Sequence, residues 1–137
     1  MLINKSNTIQ LKQTEAIKHF TQLRAWQKNH EVALSVYKIT RVFPDDERFG
    51  LTNQIRRSAS SVTANIAEGF GRANKGDKNR FYQIARGSST ETQNHLILAK
   101  DLGYLDQENF ARIKVLIWGG YQLLNGLIAS SMKNLTY

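Results

Sequence analysis

Five polar residues in the middle of the chain recur at steps of three and four, which places them on one face of a helix. They are Gln54, Arg57, Ser61, Asn65 and Glu68. The set combines short hydrogen-bonding side chains with one cation and one anion, as a partly buried hydrogen-bond network requires. We predict that Ser88 and Glu91 on a following helix complete this structural polar network, which would specify helix register more than stability.

Two adjacent arginines leave the role of this face open. Arg56 and Arg57 could instead face a ligand directly, but neighbouring residues on a helix point about 100° apart, so both cannot serve one role. We therefore assign Arg57 to the network, paired with Glu68 or Glu91, and Arg56 to the surface.

Positive charge is concentrated between Arg56 and Arg86, where seven basic residues stand against two acidic ones in a chain of net charge +8. Such a cluster attracts polyanions, nucleic acid first, although a solvated basic loop that keeps the protein soluble is the alternative. The predicted nucleic-acid contacts are Arg56, Arg72, Lys75, Lys78, Arg80 and Arg86. Phe70 and Tyr82 are candidates for stacking on bases, whereas Phe81 lies on an apolar stripe and is expected in the core.

The residues that enzymes and metal centres need are sparse. A metal-binding bundle requires several carboxylates with Glu-x-x-His pairs, and this chain offers only Glu91 and His95, four residues apart. The chain has no cysteine, and its glycines at 69, 71 and 76 precede no Gly-Lys-Ser/Thr, so a Walker phosphate loop is excluded. We predict no catalytic residue, no metal site and no cofactor.

Helical spacing runs through the chain from about Thr21, and no alternating run of strand length competes with it. In the second helix, one apolar face is formed by Leu51, Ile55, Ala59, Val62 and Ile66. The expected helix boundaries are Phe43-Pro44, Gly69, an N-cap at Asp77, Gly103 and an N-cap at Asp106. Leu105 and Phe110 fit a hydrophobic staple around the last cap.

The pattern predicts an all-α, antiparallel up-down-up-down four-helix bundle over residues 20–137, preceded by a polar N-terminal tail at 1–19. The first residues lack the apolar run of a signal peptide, and the longest strongly apolar stretch, Val115 to Trp118, is too short to span a bilayer. Without cysteine, a reducing compartment is expected. We therefore expect a cytoplasmic protein without a membrane partner.

The fourth helix is apolar on more than one face, because Val115, Leu116, Ile117 and Trp118 are consecutive. A helix that covers only a bundle core needs a single apolar stripe. A deeply buried helix in a monomer is the alternative, but a four-helix monomer has no central helix. We predict a homo-oligomer whose interface includes Trp118 and Tyr121.

Several sequence motifs of this chain occur in the same order as in one known protein family. Gln54-Ile55-Arg56-Arg57 followed by Asn65-Ile66-Ala67-Glu68-Gly69 resembles the signature of the 23S rRNA intervening-sequence protein family, also called four helix bundle protein. The resemblance extends from Phe20 to Lys133 through Leu23-x-x-Trp26-Gln27-Lys28, Phe43-Pro44 and Arg86-Gly87-Ser88 with Glu91. One departure is visible: the family commonly has a second acidic residue after the Glu91 position, where this chain has Thr92-Gln93.

The resemblance implies a homopentamer, a number that periodicity alone does not give. Relatives that serve as accessory subunits of a retroelement reverse transcriptase bind both the polymerase and nucleic acid. Two functions follow as hypotheses. The first is a non-enzymatic oligomeric bundle that binds structured RNA or DNA through its basic surface. The alternative is a protein–protein scaffold or accessory subunit, for example for a reverse transcriptase.

Overall fold

The computed structural model describes residues 16–133, and this part of the chain is all-α, with four α-helices and no strand. The helices are α1 (Arg24–Thr40), α2 (Leu51–Phe70), α3 (Lys75–Asp101) and α4 (Gln107–Met132). Single 3-10 turns at Phe20–Gln22 and Asp45–Glu47 precede α1 and α2. Most of the predicted polar tail, and the end of the predicted domain at 134–137, lie outside the described residues.

Each helix packs against two others, so the four form a closed cycle in which α1 contacts α2 and α4, and α3 contacts the same two. Contacts between α2 and α3 run in opposite directions along the chain, from Ser58 with Thr92 to Ser61 with Ser88. Between α3 and α4 they run from Asn79 with Ser131 to Arg86 with Asn125. These pairings are those of an antiparallel bundle.

The core consists of two clusters of buried apolar residues, one in each half of the bundle. One cluster joins the end of α1 to the start of α4 through Val36, Ile55 and Ile113. The other joins the end of α2 to the start of α3 through Ile66 and Tyr82. The predicted apolar face of α2 is confirmed, since all its members are buried: Leu51, Ile55, Ala59, Val62 and Ile66.

Two predicted helix boundaries are wrong, and both lie in the α2–α3 connection. Asn74, not Asp77, is the N-cap of α3, because its side chain accepts the Asp77 backbone N–H at 3.1 Å. Gly69 does not end α2, which continues to Phe70. The Asp106 cap is confirmed, since its carboxylate accepts the Asn109 N–H at 2.7 Å.

A buried asparagine ties α1 to α4. Asn29 is 1% exposed, and its side-chain amide donates to the carbonyl oxygens of Ala25 at 2.8 Å and Gly120 at 3.1 Å. A Cβ at position 120 would lie 2.7 Å from Asn29 Oδ1, so only glycine admits this contact. Gly120 therefore serves the close approach of two helices of the same chain.

We expect Gly120→Ala to lower the free energy of unfolding by about 1–3 kcal/mol, because the added methyl displaces a buried and hydrogen-bonded amide. Gly87→Ala is the matched control, since Gly87 is an exposed α3 residue with open space around it. There alanine should stabilise the helix by up to about 1 kcal/mol. Urea melts of both variants measure the difference, and equal shifts in the same direction would contradict the Asn29 contact.

Candidate nucleic-acid interface

The tight turn between α2 and α3 brings four of the six predicted nucleic-acid contacts together at one corner of the bundle, which we call the basic corner. They are Arg72, Lys75, Lys78 and Arg80. Arg72 and Arg80 share one aromatic ring, because each guanidinium carbon lies 4.7 Å from the centroid of Phe81. The ring fixes two cations near each other, and both arginines and Lys75 are exposed.

One acidic residue also belongs to the basic corner. The Arg72 guanidinium donates to Glu68 at 2.6 Å, one helical turn earlier, and both side chains are about half exposed. An exposed pair of this kind contributes little to stability. It orients Arg72 along α2 while leaving the remaining guanidinium N–H groups available for a ligand.

Lys78 has a structural role that the sequence analysis did not foresee. Its ammonium donates to the carbonyl oxygens of Gly69 at 3.0 Å and Phe70 at 2.6 Å, and so satisfies the open end of α2. It also lies 5.1 Å from the Phe70 ring. Burial lowers the pKa of Lys78 below its usual value. Lys78 is therefore engaged with the end of α2, and its contact with a phosphate stays a prediction.

The aromatic residues at the basic corner are arranged differently from the prediction. Tyr82, proposed to stack on bases, is 2% exposed and packs in the core against Gly69, where a Cβ would lie 2.8 Å from its ring. Its burial raises the pKa of Tyr82 to about 12. Phe70 is half-buried against the same cluster. Phe81, expected in the core, is also half-buried, and it lies between the two arginines.

The predicted polar network forms in part. Ser61 and Ser88 share a hydrogen bond of 2.9 Å, and the Asn65 amide donates to the Ser61 carbonyl at 2.8 Å. A neighbouring hydrogen bond was not predicted: the Thr92 hydroxyl donates to the Ser58 hydroxyl at 2.8 Å. Both Ser58 and Thr92 are buried, each on the core side of its helix. A polar residue at a core position of each helix was the sequence feature that could have predicted this bond.

The charged members of the predicted network, and Gln54, take no part in these hydrogen bonds. Glu68 pairs with Arg72, and Glu91 lies 3.3 Å from His95. Arg57 and Gln54 are exposed, and neither side chain has a hydrogen bond or ion pair to any residue in the range 16–133. The prediction that Arg57 pairs with Glu68 or Glu91 is wrong, because each carboxylate has a partner four residues away in the chain, Arg72 just after α2 and His95 within α3.

Arg56 occupies the position that we expected for Arg57. Its Nε donates to the buried Thr40 hydroxyl at 2.9 Å, and its guanidinium carbon lies 4.7 Å from the Tyr37 ring centroid. It is half-buried against α1, on a different side of α2 from the basic corner. The sixth predicted contact, Arg86, also lies apart, where it donates to Asn125 of α4 at 3.1 Å.

The apolar surplus of α4 lies on the surface of the chain. Val115 is 75% exposed and Trp118 is 52% exposed, and the Trp118 ring stacks on Tyr121 at 5.5 Å. Beside Trp118 lies an apolar groove of about 110 Å³ between α3 and α4, whose other wall includes Ile97. Both predicted interface residues therefore belong to one aromatic pair beside an apolar surface.

Residues 16–133 have neither the side-chain arrangement of a metal site nor a membrane-spanning helix. In that range no group of three or more His, Cys, Asp or Glu side chains has the arrangement of a metal site. The same range contains no helix long and apolar enough to cross a membrane.

Comparisons with known proteins agree with the helical architecture. A family model described as 23S rRNA-intervening sequence protein matches residues 21–126. The fold is similar to a crystal structure of a protein with unknown function from the S23 ribosomal protein family of Bacteroides thetaiotaomicron VPI-5482, with a TM-score of 0.70 and 25% identity. The match covers 76% of this chain and 97% of that one. A comparison with curated proteins gives no match.

The two adjacent arginines give a direct test of the arrangement around α2. We expect Arg56→Ala to lower the free energy of unfolding by about 1–2 kcal/mol, because it removes a charged hydrogen bond and a ring contact. Arg57→Ala should remain within about 0.5 kcal/mol of the wild type, because the side chain is solvated. Denaturant melts of the two variants check this order, and a larger loss for Arg57→Ala would reverse the assignment.

Proposed function

This chain belongs to the 23S rRNA-intervening sequence protein family, and on that premise we propose that it is a non-enzymatic nucleic-acid-binding protein of the cytoplasm. The basic corner between α2 and α3 is its contact surface. The observation that carries the proposal is the exposed group of Arg72, Lys75 and Arg80 around the Phe81 ring. Structured RNA is the ligand that we favour, in keeping with the family's description, and DNA is the alternative.

The chemistry of the basic corner suits a phosphate backbone. Arg72 and Arg80 present guanidinium N–H groups that match phosphate oxygens, and Lys75 adds a mobile point charge at the start of α3. The first turn of α3 carries the positive end of the helix dipole in the same place. Because these groups contact phosphates rather than base edges, this surface would bind with little sequence preference.

Self-assembly is the second part of the proposal. An exposed Trp118 stacked on Tyr121, with Val115 one helical turn away, supports an interface between copies of the chain. Five subunits is the number that the family resemblance implies. A ring would present one basic corner per subunit, so that modest contacts on each chain would add to a higher avidity.

A protein–protein scaffold, or an accessory subunit of a polymerase such as a reverse transcriptase, is the second candidate. The apolar α3–α4 groove beside Trp118 favours it, because an apolar surface of this kind suits a protein partner. In that case the positive charge would recruit an acidic partner. The two candidates differ in whether the purified protein binds nucleic acid on its own.

We expect nucleic-acid binding to weaken with salt, with log K falling by about 0.7–0.9 per decade for each neutralised phosphate. Changing Arg72, Lys75 and Arg80 together to Gln should flatten that slope by about two units or more. Lys78 is left unchanged, because it satisfies the end of α2. Fluorescence anisotropy with a labelled RNA hairpin at several salt concentrations measures both slopes.

The matched control removes three exposed cations from the opposite end of the bundle, with Lys38, Arg41 and Arg112 changed to Gln. It lowers the net charge by the same amount as the basic-corner variant, so the general attraction to nucleic acid falls equally in both variants. An unchanged slope in the basic-corner variant, or the same loss in both, would favour the scaffold.

For assembly, we expect the wild-type chain to have an oligomeric mass in light scattering at micromolar concentration, with five subunits as the preferred number. Changing Trp118 and Tyr121 to Glu should release folded monomer, because two carboxylates would be buried without partners at the interface. Circular dichroism checks that the variant keeps its helices. A monomeric mass for the wild-type chain would contradict the proposed interface.

A further inference from the structure

A second surface on the α2–α3 side has no role in the proposals above. It is a polar groove of about 500 Å³ between the first half of α2 and the facing part of α3. We call it the α2 groove, and the residues that matter in it are Phe49, Asn53, Gln54, Arg57, Ser61 and Glu91. It contains a cation, an anion, two amides and an aromatic ring within one depression.

The donors of the α2 groove are free. The side chains of Asn53, Gln54 and Arg57 have no hydrogen bond or ion pair to any residue within 16–133, whereas Ser61 is bonded to Ser88. Surface amides and guanidinium groups that converge on one depression without partners in the protein can all bond to one ligand.

An unusually exposed aromatic ring stands at the rim. Phe49 is 87% exposed, in the turn before α2, and the Arg48 guanidinium lies 5.5 Å from its ring centroid. Burying a ring of this size on folding would have been favourable. Its exposure beside Arg48, with Arg57 in the same groove, suits a flat and negatively charged partner.

We propose that the α2 groove binds an unpaired nucleotide of a single strand, an inference that rests on the proposed nucleic-acid function and names the form of its ligand. The base stacks on Phe49, as bases do on exposed aromatic side chains in sequence-tolerant binding. Asn53 and Gln54 bond to its edge, and the Glu91 carboxylate accepts from an exocyclic amino group. Arg57 and Arg48 bind the flanking phosphates.

The α2 groove and the basic corner are connected along one face of α2. Arg57, Ser61, Asn65 and Glu68 follow at steps of three and four, so they form one stripe on that helix. Arg72, just beyond the end of α2, continues the stripe through its ion pair with Glu68. From Arg57 to Glu68 the stripe is about 17 Å long at 1.5 Å per residue, which corresponds to about five stacked nucleotides of one strand. A single strand can therefore occupy both sites at once.

A peptide is the competing occupant, since amides and one ion of each sign also suit a polypeptide. Two features favour the nucleotide. The basic corner at the other end of the stripe extends the positive surface in one direction, and the exposed Phe49 ring has the Arg48 guanidinium 5.5 Å from its centroid. A polyanion with flat bases matches both features.

The test compares a labelled 12-nucleotide single-stranded RNA with the 12-base-pair duplex of the same sequence, at one salt concentration. Phe49→Ala should weaken binding of the single strand by about five- to 160-fold, the range for loss of one base stack, and leave duplex binding unchanged. Phe49→Trp should retain single-strand binding, and its fluorescence should be quenched by the strand. Val42→Ala, which removes another highly exposed apolar side chain, is the control and should bind as the wild type does.

The outcomes separate this inference from the function on which it rests. If Phe49→Ala binds both RNAs as tightly as the wild type, while the basic-corner variant loses both, the inference is overturned and nucleic-acid binding stands. A polypeptide would then be the better occupant of the α2 groove. If the wild type binds neither RNA, the proposed function fails and this inference fails with it.

Discussion

The close packing of α2 against α3 is the constraint on which the rest of the structure depends. At one end, Gly69 leaves room for the Tyr82 ring, which a Cβ would approach to 2.8 Å. In the middle, Ser61 and Ser88 are joined by a direct hydrogen bond of 2.9 Å. Small residues let two backbones approach, and hydroxyl pairs then satisfy polar groups that water no longer reaches. A connection of four residues is long enough to join α2 to α3 because the two helices lie side by side.

The packing of α2 against α3 determines which basic side chains are exposed at the basic corner. Lys78 is drawn onto the carbonyl oxygens at the end of α2, which leaves Arg72, Lys75 and Arg80 as the outward cations of the basic corner. Phe81 becomes the surface ring because its neighbour Tyr82 occupies the core. The apolar surplus of α4 lies on another part of the surface, around Trp118. The proposed nucleic-acid and subunit contacts therefore do not compete for the same residues.

The sequence predicted the four helices, the apolar face of α2 and the Asp106 cap, because periodicity and capping are local properties. It did not predict which of the two adjacent arginines, Arg56 or Arg57, contacts another helix. That depends on which helix packs on which side of α2, and α1 supplies Thr40 and Tyr37 to Arg56. The partners of Glu68 and Glu91 were not predicted because each carboxylate pairs with a residue four positions later, Arg72 and His95, and not with a residue of another helix. The sequence predicted a helix end at Gly69. In the structure Gly69 makes room for the Tyr82 ring of α3, a contact between helices that local sequence does not indicate.

The proposed surface for nucleic acid is the α2–α3 side of the bundle, and not α4. Photo-crosslinking of a single-stranded RNA that carries 4-thiouridine, followed by mass spectrometry of the crosslinked peptides, tests it most directly. We expect crosslinks at Phe49, the exposed ring of the α2 groove, and at Phe81, the half-buried ring of the basic corner. Crosslinks confined to peptides of α4 around Trp118 and Tyr121, with none on α2 or α3, would contradict the account.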